Sequence, residues 1–266
     1  MLPEVWGNFF VETTGTRSGA TMTGSDGHNE VTSATLCAAV GARLDELVGD
    51  SLHTIRHQLP EYSAVPVREH ERHLRGLFSD VLAGLTECRS PQAEQLDEAR
   101  ALGLARVDQG VAVEAVIGAY HLGYRRLWRM LVAVAGPYGS AAKAEMIGMV
   151  DNLWTWMTLV TEAAADAYSE ADRNRRAARE ALRRRFFDAL RATDVHGDTR
   201  VTLARNLGYA PDRTFHTVCG RSEDWSDEQL SRLQRFLDAL PGPCHSGVVG
   251  ASMVVIHQCS DPAAVL

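Results

Sequence analysis

The chain has 266 residues, a formal net charge of −7 and a hydrophobic content of 45%. That length leaves room for one large domain or two modest ones, and the acidic balance excludes a whole-chain nucleic-acid footprint, which would be basic. No run of about 18 apolar residues occurs, so no membrane-spanning helix is expected.

The opening residues Met1 to Trp6 carry an acid and no basic stretch, which argues against a signal peptide and for a cytoplasmic protein. Cys37, Cys88, Cys219, Cys244 and Cys259 are odd in number, widely spaced and free of any Cys-x-x-Cys pair. They read as scattered reduced thiols rather than a disulfide framework or a zinc site. Residues 1–30 are rich in Gly, Thr and Ser without periodicity, and read as a disordered leader. Met22 is an alternative start.

From Val31 to Leu59 the residues Leu36, Val40, Leu44, Leu47, Val48, Leu52, Ile55 and Leu59 recur at helical spacing. Pro60 ends that helix, because a proline disfavours helical geometry in the residue before it. A second helix follows Pro66 and carries Leu74, Leu77, Phe78, Val81, Leu82 and Leu85. Ser90 and Pro91 open a third as N-cap and first-turn residue, and Gly110 closes it. Val113, Val116, Ile117, Tyr120, Tyr124, Leu127, Trp128 and Leu131 then form one wide apolar stripe, the mark of a core helix. After the turn Gly136 to Gly139 the pattern stays helical for about fifty residues, to roughly Ala192.

Within that long helix Leu153, Met157, Val160, Ala164, Ala167, Ala171, Asn174, Ala178 and Ala181 alternate steps of four and three. This is a heptad-like seam, with Asn174 as the polar residue that fixes register in a homodimer. An ordinary helix packed on its own domain has the same spacing. Beyond it, Asp194 to Asp198 reads as a loop and Thr199 to Leu207 as a short helix closed by Gly208. Thr214 to Cys219 alternates as a strand. Ser226 and Gln229 form a capping box that opens a helix to Leu240. His245–Val249 and Met253–His257 read as a hairpin across Gly250 and Ala251. The order after Ala192 is that of a small α+β unit.

No catalytic constellation is present: no phosphate-binding loop, dinucleotide fingerprint or nucleophile elbow. The expectation is a protein that is not an enzyme and holds no cofactor. His53 and His57 share a helix face, as do His70 and His73, a set that could ligate zinc or haem. The plainer expectation is that all four flank the apolar stripes and face solvent. His121 lies off the main stripe. The arginines from Arg173 to Arg185 are interleaved with Glu170, Asp172 and Glu180, so the run reads as a solvated linker helix without specific nucleic-acid binding. Tyr120, Tyr124, Trp128, Trp154 and Trp156 are candidates to line a ligand pocket, although aromatic clusters at helical spacing also build plain cores.

The stretch Gln109 to Trp128, with Leu59-Pro60-Glu61-Tyr62 upstream and Leu153-Trp154-Thr155-Trp156 downstream, resembles the RsbRD N-terminal domain, named for a stressosome co-antagonist. The likeness covers about residues 35 to 175. It implies an all-helical sensory or interaction module, similar in spirit to the non-haem globin-like domains of stressosome proteins. In actinobacteria such domains precede regulators of the PucR/CdaR type. Arg185 to Leu190 and Leu203 to Tyr209 look like the entry to the degenerate GGDEF-like domain of those regulators. The hairpin Val248 to Met253 stands where a cyclase would hold metal and nucleotide, and it carries no carboxylate. That absence argues against cyclase activity, and with nothing after Val254 to supply the helix-turn-helix of those regulators, the resemblance implies either a truncated regulator or a diverged member that lost its output domain.

The expected architecture is mainly α. Residues 1–30 form a leader and 31–170 a helical sensor bundle, for which the resemblance implies a globin-like form. Residues 171–192 are a connecting helix and 193–266 a small, incomplete α+β domain. The expected role is a non-enzymatic, dimeric, signal-sensing regulator with a small-molecule or protein partner and no membrane. A stressosome-like interaction module and a haem or metal sensor are the rival readings. Candidate pocket residues are Tyr120, Tyr124, Trp128 and Trp154; candidate dimer-seam residues are Leu153, Met157, Val160 and Asn174.

Overall fold

A computed structural model describes residues 31–192, 197–221 and 225–258. The leader therefore lies outside the described residues, as does most of the expected loop Asp194–Asp198. The helices are α1 (Ser33–Gly41), α2 (Leu44–Gln58), α3 (Val67–Thr86), α4 (Ala93–Asp108), α5 (Val113–Ala135), α6 (Gly139–Arg191), α7 (Gly197–Asn206) and α8 (Asp227–Leu237). Three strands follow: β1 (His216–Arg221), β2 (Cys244–Val249) and β3 (Ser252–His257). Among the described residues, no helix is long and apolar enough to cross a membrane.

The first apolar stripe is divided between two helices. Gly41 ends α1, and Arg43 leaves helical geometry with φ −112° and ψ 22°. The break lets Leu36 and Val40 on one piece and Leu47, Val48 and Ile55 on the other all enter the same core. Pro60 then starts a 3-10 turn, Pro60–Ala64, that buries Tyr62. Arg56 holds this turn, its Nη1 donating to the carbonyls of Tyr62 and Val65 at 2.8 and 2.9 Å. The cap of α4 is Gln92, two residues after the expected Ser90; its side chain and that of Gln95 make a reciprocal capping box. Gly110 takes φ +71° just past α4, the left-handed geometry that glycine adopts without a Cβ penalty.

α1 to α5 and the first half of α6 form one bundle. Its core includes Phe78, Tyr124, Leu127, Leu131 and the fully buried Trp156. α4 lies along α6 at close range: a Cβ on Gly103 would overlap the Ala164 carbonyl. Gly84 plays the same part for α3, against the Trp156 ring. These two glycines let bulky helices approach where any side chain would hold them apart.

α6 runs on for 53 residues. From 173 to 181 all its side chains are exposed, and then Phe186, Phe187 and Ala189 enter a second, smaller core with Leu203, Leu207, Tyr209 and Ile256. The sheet order is β1-β3-β2, with both pairs antiparallel. His245, Gly247, Val249, Val254 and Ile256 lie on the sheet face that meets α6, and Gly247 has no room for a Cβ beneath the Phe187 ring. The Tyr209 hydroxyl donates to the Ile256 carbonyl at 2.8 Å, which ties α7's end to β3. α8 opens with the expected capping box of Ser226 and Gln229. Its Gln234 accepts from the backbone N–H of Ser246 at 2.9 Å, so a side chain occupies the outer edge of β2.

Candidate functional site

The polar heart of the bundle is Arg106 on α4. Its position follows from the α4 stripe Ala99, Gly103, Arg106 and Val107, which faces inward as a unit. The side chain is fully buried. Its charge is met by Glu69 on α3: Nη1 donates to Glu69 Oε1 at 2.6 Å and to Gln109 Oε1 at 2.6 Å. Gln109 Nε2 donates in turn to both Glu69 oxygens, at 3.0 and 3.1 Å. Nη2 lies 3.3 Å from His73 Nδ1, and the guanidinium sits 5.7 Å from the centroid of the Tyr62 ring. Burial works to raise the Glu69 carboxyl, but the hydrogen bonds from Arg106 and Gln109 overcome it, and the group is held below its usual range. A buried guanidinium needs such partners, because an unpaired charge in a low-dielectric interior is costly.

His70 lies against Tyr62 with ring centroids 4.7 Å apart. It is 3% exposed. Burial, followed by the repulsion of Arg106 and Arg56, pushes its imidazole down to about 3. His73 is lowered too, by burial and by Arg106. Both rings are therefore neutral at physiological pH. Nδ1 of His70 and Nε of Arg106 are buried without a hydrogen-bond partner.

Beside this cluster the bundle forms a half-open cavity of about 70 Å³. One water needs about 10–15 Å³ by the same kind of measure, so a small molecule or several waters fit. His70, His73, Arg106, Tyr62 and Tyr120 form its polar end. Leu74, Leu77, Leu102, Trp156 and Val160 form its apolar wall, and Asp80, Gln95 and Glu98 stand at the other end. The Trp156 indole is fixed by a 2.7 Å hydrogen bond from Nε1 to the Arg89 carbonyl. Burial raises the Asp80 carboxyl. Such a space can hold a compact ligand with one polar end.

Of the aromatic residues expected around a pocket, Tyr120 and Trp156 line this cavity. Tyr124 is buried in the core with its hydroxyl unpartnered. Trp128 is half-buried against that core. Trp154 is 54% exposed and stands outside; its neighbour by one half-turn, Trp156, is the inward tryptophan. The histidine expectation divides. His53 and His57 are exposed, with rings stacked 6.2 Å apart, but His70 is buried. The correction has a simple cause: His70 shares the inward face of α3 with Leu74, Leu77 and Phe78. His121 is exposed. No group of three or more His, Cys, Asp or Glu side chains is placed to hold a metal among the described residues. Arg106 was legible as a charge inside the Ala99–Gly103–Val107 stripe, yet nothing in the sequence paired it with Glu69, which lies 37 residues away.

The seam residues also divide. Leu153 and Val160 are buried and Met157 packs on the same core, so these three serve the bundle of their own chain. Asn174 and Ala178 remain exposed. Of these seam residues, only those of the exposed stretch are left uncommitted to this core.

Comparison with known proteins gives one family. The model of the RsbT co-antagonist protein rsbRD N-terminal domain matches residues 45–183. No curated protein and no solved structure matches the chain. The matched span holds most of the bundle, the whole cavity lining and the exposed stretch of α6. Covering more than half of the 266 residues, the match establishes that the chain belongs to the family of the RsbT co-antagonist protein rsbRD N-terminal domain.

Proposed function

We propose that the chain is a non-enzymatic regulatory protein in which the bundle cavity takes a small ligand and α6 carries the resulting change to the C-terminal unit. One observation carries this reading. A single uninterrupted helix supplies Trp156 and Val160 to the cavity wall and Phe186 and Phe187 to the second core. A ligand with different affinities for two packings of α6 shifts their populations, and the second core shares that helix.

The finer reading is a transcription regulator of the PucR/CdaR type, with the C-terminal unit as a GGDEF-like domain and self-association through the exposed stretch at Asn174. It rests on the resemblance of residues 185–190 and 203–209 and on the spacing of the seam. The rival is an interaction module of stressosome-like assemblies. Molecular mass in solution separates the two: a discrete dimer supports the regulator, and a very large assembly supports the rival.

Coupling is tested by filling the cavity from inside. Ala99 lines it and is buried. Ala99→Leu is expected to alter hydrogen-exchange protection in residues 197–258. The same substitution combined with Asn174→Pro, which interrupts α6, is expected to leave that region as it is in Asn174→Pro alone. Unchanged protection in the Ala99→Leu protein, with the bundle folded, overturns the proposal.

A further inference from the structure

We infer that the cleft between the bundle and the C-terminal unit is a binding site for a small phosphoryl anion, a molecule carrying two or more linked phosphates. This site is separate from the bundle cavity and does not depend on it. The cleft has a volume of about 700 Å³. The exposed stretch of α6 is its floor, the end of α4 is one wall, and α8 is the other.

Arg175, Arg179 and Arg183 are four residues apart and share one face of α6, and Arg235 lines the cleft from α8. The first is already engaged: Arg175 donates to the Val107 carbonyl at 3.0 Å and stands 3.6 Å from Asp108. Arg176, beside it, pairs with Asp172 at 2.7 Å. Arg179, Arg183 and Arg235 have no acceptor within hydrogen-bond distance among the described residues. Two carboxylates line the cleft beside them without contacting them. Glu180 is drawn to Arg184, and Asp238 accepts from Gln234 Nε2 at 2.8 Å while its charge attracts Arg183 from a distance.

Arg183 makes the arrangement more than a charged surface. It is half-buried at the cleft floor, and burial lowers it from its ordinary value against the weaker pull of Glu180 and Asp238. A desolvated guanidinium without an acceptor is a cost that a bound anion removes. Three guanidiniums on two elements, none with a hydrogen-bond acceptor among the described residues, suit an anion with several oxygens at different angles, which linked phosphates supply and one carboxylate does not. The volume fits a small molecule. Because the ligand would touch α6 and α8 together, it would fix the C-terminal unit against the connecting helix.

The test is calorimetric titration of the full chain with inorganic pyrophosphate at about 0.15 M ionic strength, where loose surface attraction is screened. One saturable site per chain is expected, with orthophosphate weaker. Arg179→Gln and Arg183→Gln should each weaken binding by about tenfold or more, the loss of one charge-assisted hydrogen bond. Arg235→Gln, on the other wall, should do the same, and it keeps the test intact if Arg183→Gln perturbs folding. Arg173→Gln, on α6 but outside the cleft, should leave affinity unchanged. Absence of saturable heat overturns the proposal. So does equal weakening by Arg173→Gln, which would reveal diffuse charge, and so does tighter binding of a DNA oligonucleotide than of pyrophosphate.

Discussion

The bundle and the C-terminal unit bury their polar groups in different ways. In the bundle, ionisable side chains go inside: Arg106, Glu69, His70 and His73 meet at the edge of a cavity. In the C-terminal unit the buried polar contacts are mostly single side chains on backbone groups, such as Tyr209 on Ile256, Gln258 on Ala210 and Gln234 on Ser246. The first pattern sets charges against one another in a low-dielectric space, where they respond to occupancy and pH. The second closes the ends of a small sheet and holds it to a helix. The difference sets a buried ionisable cluster in one region against side-chain-to-backbone ties in the other.

The largest expected effect tests whether the two regions stand on separate cores. Trp156→Ala removes the largest fully buried side chain of the bundle and should cost about 3–5 kcal/mol. Denaturant melts followed by bundle and C-terminal probes should then separate into two transitions. A single unshifted transition would erase the distinction between the cores. Trp128→Ala, at a half-buried position, should cost clearly less than Trp156→Ala in the same assay.

Gly103→Ala tests the close approach of α4 and α6. The new methyl meets the Ala164 carbonyl, so one helix has to move, at a cost of about 1–3 kcal/mol. Full wild-type stability would mean the helices are not in close contact there.

The pH response should also belong to the bundle. His70 is held near 3, below its ordinary value of 6.5. The unfolded chain therefore takes up a proton as pH falls through 6.5, while the folded chain resists until about 3. Stability from the neutral ring is complete above 6.5 and declines below it, by up to about 1.4 kcal/mol per pH unit. In His70→Gln the decline between pH 6 and 4 should be shallower. An identical slope in the variant would place His70 in solvent.

The smallest effect is expected in the C-terminal unit. Tyr209→Phe loses one neutral hydrogen bond to the Ile256 carbonyl, worth about 1 kcal/mol. The bundle transition should not move.

Much of this division was legible in the sequence because it depends on period and punctuation. The α5 stripe, the glycine stop at Gly110, the Ser226 capping box and the strand alternation each lie within a few residues, and the elements follow them. The boundary between α1 and α2 was not legible, because both pieces keep one continuous apolar stripe. The inward turn of Trp156 rather than Trp154 lay within reach of the spacing, since Trp156 stands three residues after Leu153 and four before Val160, both buried. The polar cluster depends on contacts between α3 and α4, and sequence spacing carries no information about such distant pairs.

One consequence of α6 concerns phase. A helix of 53 residues spans about 80 Å and turns about 100° with each residue. With one core gripping Trp156 and the other gripping Phe187, the number of residues between them sets the azimuth of one unit about the other. A single-residue insertion among the exposed residues 173–181 would swing the C-terminal unit by more than a quarter turn while leaving both cores chemically untouched. Seven residues would nearly restore its heading and add about 10 Å of reach. The length of the connecting stretch is thus a structural variable in its own right, like the shaft between two keyed wheels.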